Sequence, residues 1–188
     1  MSLSRIGKLA RAYERHIGAP WQRTLAGAQR VIFVVYDKEM ERTLRARIDE
    51  FAQATVGAGH GWTLVDCTSW FAEWMARDEY RDAYFEDPSL LELKLESEFR
   101  AGSAQKLAIV LEQAGESDVV ALLGVASLYG FLRVSDLIRA VEPAVRGRLV
   151  VFFPGSRNEN NFRLLDARDG WNYLAQAITL HDEQVNLP

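Results

Sequence analysis

The sequence predicts an α/β domain of three layers, with helices on both sides of a mainly parallel sheet of about four or five strands. Three observations carry that expectation. Apolar runs of strand length recur at Val31–Tyr36, Trp62–Asp66, Val119–Leu123 and Leu149–Phe153, with little polar alternation. Such runs suit strands covered on both faces, as in a parallel sheet. Stretches with apolar residues at helical spacing lie between them, and strand–helix–strand units of this kind cross over right-handedly in nearly all known cases.

The elements follow in order. Ile6, Leu9, Tyr13 and Ile17 form one helical stripe, Ser4 is placed to cap it, and Trp21 after Pro20 anchors the connection to the first strand. Asp37 opens a helix on which Met40, Leu44, Ile48 and Phe51 recur, and Gly57-Ala-Gly-His-Gly61 ends it. Past the second strand, Thr68 and Ser69 cap a helix with Trp70, Phe71, Trp74 and Met75 on its inner side. Asp87-Pro88 starts another, bearing Leu91, Leu95 and Phe99. Gly102-Ser103 reads as a break before a third helix with Leu107, Val110, Leu111 and Ala114.

About fifty residues thus separate the second and third strands, far more than one crossover needs. Residues 68–116 read as a helical insertion and as a candidate partner surface. Ser135 and Asp136 then begin a helix with Leu137, Ile138, Val141 and Val145 inward. The fourth strand is expected to break at Pro154-Gly155-Ser156, and a weaker fifth strand lies around Ala177 to Leu180. No repeat or linker intervenes, so residues 1–188 are expected to form one domain, Rossmann-like or P-loop-like in layout but without a Walker A motif.

Composition bounds the function. With 48% hydrophobic and 26% charged residues the chain reads as an ordinary globular protein, long enough to fold without disulfide or metal support. Its one cysteine, Cys67, excludes an internal disulfide framework and suits a reducing compartment. The amino terminus lacks the apolar stretch of a secretory signal, and the longest apolar run, Val119–Leu132, falls short of the roughly 20 residues of a spanning helix. A cytoplasmic protein is expected. The net charge of −4 offers no basic excess for a free-standing nucleic-acid binder, so DNA contact is expected only through a larger complex. Arg139, Arg146 and Arg148 are close in sequence and read as solvating a helix end.

Chemistry in an open α/β sheet collects beyond the carboxyl ends of the strands. Asp37 and Asp66 stand there, joined by Asp166 and Asp169, and paired carboxylates can hold Mg²⁺ with substrate phosphate. The plainer reading is that Asp37 and Asp66 cap the helices that follow. No Gly-Lys-Ser or Gly-Lys-Thr occurs, and Gly57–Gly61 precedes a strand, at the wrong edge for phosphate. His16, His60 and His181 show no metal-ligand spacing. Cys67 reads as a small buried thiol, and Ser127 and Ser156 lack a nucleophile elbow. No catalytic residue, cofactor or metal is expected. The segment after the fourth strand is harder to dismiss, because Arg suits bidentate contact with carboxylate or phosphate and aromatics concentrate binding energy. It either braces the last loop or binds a partner, and the candidate binding residues are Arg157, Asn160, Asn161, Arg163, Asp166, Arg168, Asp169 and Trp171.

Three stretches together resemble the BrxB family, small proteins encoded in bacterial BREX phage-resistance clusters. They are Gly124-Val-Ala-Ser-Leu-Tyr-Gly-Phe-Leu-Arg-Val-Ser135, Val150-Val-Phe-Phe-Pro-Gly155 and Phe162-Arg-Leu-Leu-Asp-Ala-Arg-Asp-Gly-Trp-Asn-Tyr173. The resemblance covers nearly the whole chain, and its specific part is carboxyl-terminal. It implies defence against phage beside a DNA methyltransferase, an ATPase and a PglZ-type protein, and it brings no catalytic residues with it. A small acidic member of such a set is expected to be a non-catalytic adaptor, docking onto the PglZ-type partner. The alternative is a degenerate nucleotide- or metal-binding enzyme that handles phosphoryl groups with Asp37 and Asp66. A DNA-contacting subunit is the third reading, and the acidic total weighs against it.

Overall fold

Each of the four apolar runs lies within a strand of one parallel sheet, and a fifth strand extends it. The structure, a computed structural model, describes residues 4–22, 24–168 and 170–180. Its first half contains α1 (Arg5–Gly18), β1 (Val31–Tyr36), α2 (Glu41–Ala46), α3 (Ile48–Gly57) and β2 (Gly61–Asp66). The insertion holds α4 (Trp70–Arg77), α5 (Arg81–Glu86), α6 (Glu92–Lys94) and α7 (Arg100–Gln113). Then come β3 (Asp118–Leu123), α8 (Val134–Val141), β4 (Arg148–Asn158), β5 (Asn161–Leu164), β6 (Trp171–Asn172) and β7 (Gln176–Ile178). The parallel strands are ordered β2-β3-β4-β1-β7.

Alternation along each central strand makes the three layers. Val31, Phe33 and Val35 belong to a core completed by Leu107 and Leu111 of α7 and Leu137 and Ile138 of α8. Ile32, Val34 and Tyr36 belong to a second core with Ile6, Leu9 and Tyr13 of α1 and Phe51 of α3. Both faces of β1 are therefore apolar, which is why the sequence reads as a continuous run. Ser4 caps α1 as expected, its Oγ accepting the Gly7 amide at 3.1 Å. The Tyr13 hydroxyl meets Thr55 Oγ1 at 2.6 Å inside the second core, and the Phe51 ring lies 5.0 Å from Phe152 of β4. No helix among the described residues is long and apolar enough to cross a membrane.

Four expectations need correction. The helix after Asp37 is divided into a 3-10 turn, α2 and α3, with a kink at Arg47. Gly102-Ser103 is no break: α7 runs through it, held by buried Ser103, Leu107 and Leu111. One glycine costs a helix about 1 kcal/mol, too little to end one anchored so well. The irregularity lies earlier, where Leu95–Phe99 forms a π-helical turn between α6 and α7. An added Cβ at Gly102 would meet nothing within 4 Å. Gly102→Ala is therefore expected to raise stability by about 0.5–1 kcal/mol, read from the urea midpoint. Third, Arg148 does not solvate a helix end: it is buried at the start of β4, its guanidinium 4.4 Å from the Trp21 ring centroid and its Nη1 donating to the Gly147 carbonyl.

The fourth correction shapes the site. The chain does not break at Pro154-Gly155-Ser156; β4 changes partner there. Tyr36–Pro154 is the last parallel pair with β1, and from Gly155 to Asn158 the same strand pairs antiparallel with β5. β6 adds a third strand to this outlying ribbon. Proline has no N–H to give the ladder, so it fits the point where one pairing ends, and its carbonyl accepts the Leu165 amide at 2.8 Å.

Candidate functional site

Beyond the carboxyl ends of the sheet, the polar side chains are bonded to one another. Arg45, on α2, donates from Nε to Glu41 at 2.7 Å, from Nη1 to Asp66 at 2.9 Å and from Nη2 to the Thr68 hydroxyl at 2.7 Å. The buried Tyr36 hydroxyl donates to the other oxygen of Glu41. Gly124, at φ +89°, ends β3 beneath this cluster, where a Cβ would come within 3.0 Å of Arg45 Nη2 and 2.8 Å of Asp66 Oδ1. Partial burial alone would raise the Asp66 carboxyl. Hydrogen bonds from the Thr68 hydroxyl and amide and from Arg45 outweigh it, and hold the group below the usual carboxylate range.

Asp37 is likewise engaged, its Oδ1 accepting the Glu39 amide at 3.0 Å in the turn that follows β1. Asp37 thus caps the 3-10 turn that follows it, as the plainer expectation had it, whereas Asp66 caps no helix: the N-cap of α4 is Ser69, and Asp66 closes the local turn at Thr68 and holds Arg45. Among the described residues no group of three or more His, Cys, Asp or Glu side chains is arranged to hold a metal. Burial pushes the Cys67 thiol up to about 12, and its Sγ donates to the Leu123 carbonyl, so the group stays a neutral structural thiol at physiological pH.

A groove of about 790 Å³ lies between the ribbon, the β3–α8 connection and the start of α7. One wall is Leu95, Glu96 and Arg100; a second runs from Tyr129 to Asp136. The third is the ribbon's own face, with Phe162, Leu164, Asp166, Ala167, Arg168, Gly170 and Trp171, and Phe153 of β4 lies between. All three stretches that carried the sequence resemblance contribute to this one place.

Aromatic packing fixes the walls. Phe162 is 1% exposed and contacts Phe33 at 4.6 Å, Phe153 at 6.0 Å and Trp171 at 6.1 Å between centroids. Phe131 of the connection stacks on Phe71 of α4 at 3.6 Å with planes 8° apart. The indole N–H of Trp171 is buried with no hydrogen-bond partner among the described residues. A donor in that state costs about 1–3 kcal/mol, which a nearby acceptor would recover.

The eight candidate binding residues do not form one surface. Cross-strand pairing sets Arg157, Phe162 and Trp171 in one row of the ribbon. Ser156 and Arg163, and Asn158, Asn161 and Asn172, form rows on its opposite, exposed face. Asp166, Arg168 and Trp171 line the groove, and Asp166 is paired with Lys38 beyond the end of β1. Arg157 braces the turn, donating from Nε to the Glu159 carbonyl at 2.5 Å, with its guanidinium 5.8 Å from the Phe162 ring. Asn160 accepts the Tyr173 amide through its carbonyl, and the Asn161 amide lies against Gly170. Asp169 lies outside the described residues, as does His181.

The segment therefore combines a braced residue, Arg157, with exposed ones, Arg163 and Arg168. The sequence reading missed Arg100, Tyr129 and Arg133 as groove residues. The alternation Asn161-Phe162-Arg163-Leu164, polar then apolar, was the available signal for a ribbon with two unlike faces.

The family model described as "BREX protein BrxB" matches residues 74–178 of the chain. That stretch includes most of the insertion, the β3–α8 connection, β4 and the ribbon, and so every wall of the groove. No curated protein and no solved structure matches the chain.

Proposed function

Because the chain belongs to the BrxB family, and is thereby a component of a BREX system, we propose that it is a non-catalytic adaptor in anti-phage defence that docks onto a PglZ-type partner through the groove and ribbon. The observation that supports this reading is the convergence of three separate stretches, 129–136, 153–155 and 162–171, on or beside one groove with an aromatic floor and a charged rim. Buried aromatics and arginines are the groups from which protein interfaces draw most of their energy. On this reading the protein works in the cytoplasm, and DNA is contacted only through the larger complex.

Co-purification with the PglZ-type protein is the test. Arg163 and Arg168 are exposed, so Arg163→Glu and Arg168→Glu are expected to leave the circular dichroism spectrum unchanged while weakening capture by about tenfold or more, since reversing a charge turns an attractive contact into a repulsive one. Full binding by both variants would remove the ribbon from the interface.

A second reading, a degenerate phosphoryl-handling enzyme using Asp37 and Asp66, draws support from position alone: Asp37 directly follows β1 and Asp66 is the last residue of β2, at the sheet edge where such folds collect ligands. Metal binding there would have to compete with Arg45 for Asp66. A thermal-shift screen with Mg²⁺, Mn²⁺ and nucleotides is expected to leave the melting temperature unchanged. Saturable stabilisation, about 2.7 kcal/mol at one hundred times the dissociation constant, would favour this reading instead.

A further inference from the structure

The insertion carries large apolar side chains that the fold leaves in solvent. Leu93 is 81% exposed, Phe85 70%, Tyr80 56% and Leu90 55%. They stand on α5, on the 3-10 turn Pro88–Leu91, on α6 and just before α5, and these short turns pack against one another. The segment is pinned: Tyr84 is buried, and Lys94 joins Asp78 at 3.2 Å with its Nζ 5.5 Å from the Tyr80 ring. A cluster of exposed large apolar groups on a folded element marks an interaction surface.

Charge says what kind. Between residues 78 and 98 there are eight carboxylates and two cations, a net of −6, whereas the entire chain is −4. The rest of the molecule is therefore slightly basic, and the negative field is concentrated around the exposed Phe85 and Leu93, from Glu79 and Asp82 to Glu86 and Glu92.

We propose that this face docks into a protein groove that is apolar at its floor and rimmed with Lys and Arg, Phe85 and Leu93 entering the groove and the acidic residues meeting the rim. The proposal rests on the adaptor reading and names the chemistry of a partner surface. A second copy of this chain does not fit, because a two-fold contact would set two such acidic faces against each other. An anionic lipid surface is repelled for the same reason. Hydrophobic anchors inside complementary charge give affinity through the former and fast encounter through the latter.

The test uses the full chain and the separately purified methyltransferase, ATPase and PglZ-type proteins, with affinities measured at low and high salt. At least one is expected to bind. Phe85→Ser/Leu93→Ser and Glu86→Lys/Glu92→Lys are each expected to weaken that binding by about tenfold or more, with unchanged melting temperatures, and wild-type affinity is expected to fall as salt rises. Wild-type binding that both double variants retain would overturn this proposal and leave the adaptor reading standing. Binding to none of the three proteins would overturn both. Sedimentation showing a wild-type dimer that Phe85→Ser/Leu93→Ser dissociates would make the occupant a second copy and overturn the proposal as well.

Discussion

Phe162→Ala is expected to destabilise the protein by about 3–5 kcal/mol, the range for removing a fully buried aromatic side chain. The ring belongs to β5 yet packs into the central core, against Phe33 of β1 and Phe153 of β4. Among the described residues it is one of two ribbon side chains whose rings reach Phe33 of the parallel sheet, the other being Trp171 at 5.2 Å, which also lies beside Phe162. Its loss opens a cavity below the groove and frees the ribbon from its seat. Two measurements separate these effects. Urea unfolding reads the global loss, and hydrogen exchange at the β5 and β6 amides should rise more than at β1. A loss below about 1 kcal/mol would show that the ribbon is not seated on the core, and with it the proposed docking surface would lose its foundation.

Gly155→Ala is expected to be nearly as costly, about 2–4 kcal/mol, for a different reason. A Cβ there would fall inside contact distance of the Arg163 carbonyl oxygen, 3.0 Å from its carbon and 3.1 Å from the Leu165 nitrogen. These are backbone atoms of the paired strand, so no rotamer change relieves the collision. The β4–β5 ladder has to open at its first rung, where the parallel pairing has just ended. The same substitution at Gly102 has open space and a helical backbone, hence the opposite sign expected for it. Stability of the Gly155→Ala protein equal to wild type would mean that the ribbon lies farther from β4 than described.

The two glycines also show what can be read without a structure. The parallel strands were legible because their chemistry is self-contained: six consecutive apolar residues at Val31–Tyr36 need cover on both faces, whatever provides it. Pro154-Gly155 was legible as an interruption, but not as a change of partner. That depends on Leu164 and Arg163 arriving opposite Gly155 and Ser156, a matter of register.

The groove was less visible still. Its walls come from residues 95–100, 129–136 and 162–171, and only the last of these announced itself by composition. Arg100 and Arg133 lie far apart in sequence, and it is the stack of Phe131 on Phe71 that sets the connection beside the insertion. The engagement of Asp66 was hidden in the same way, since its partner Arg45 lies on another element, 21 positions earlier in the chain.

One strand belongs to two sheets here, and that has a mechanical consequence. β4 lies between β3 and β1 at one end and projects as the first strand of the ribbon at the other. With no linker between scaffold and projection, the ribbon inherits the stiffness of the molecule's centre. On the proposed adaptor reading, association through the ribbon is expected to be a meeting of preformed shapes, with little ordering entropy lost and little change in the ribbon backbone between free and bound states.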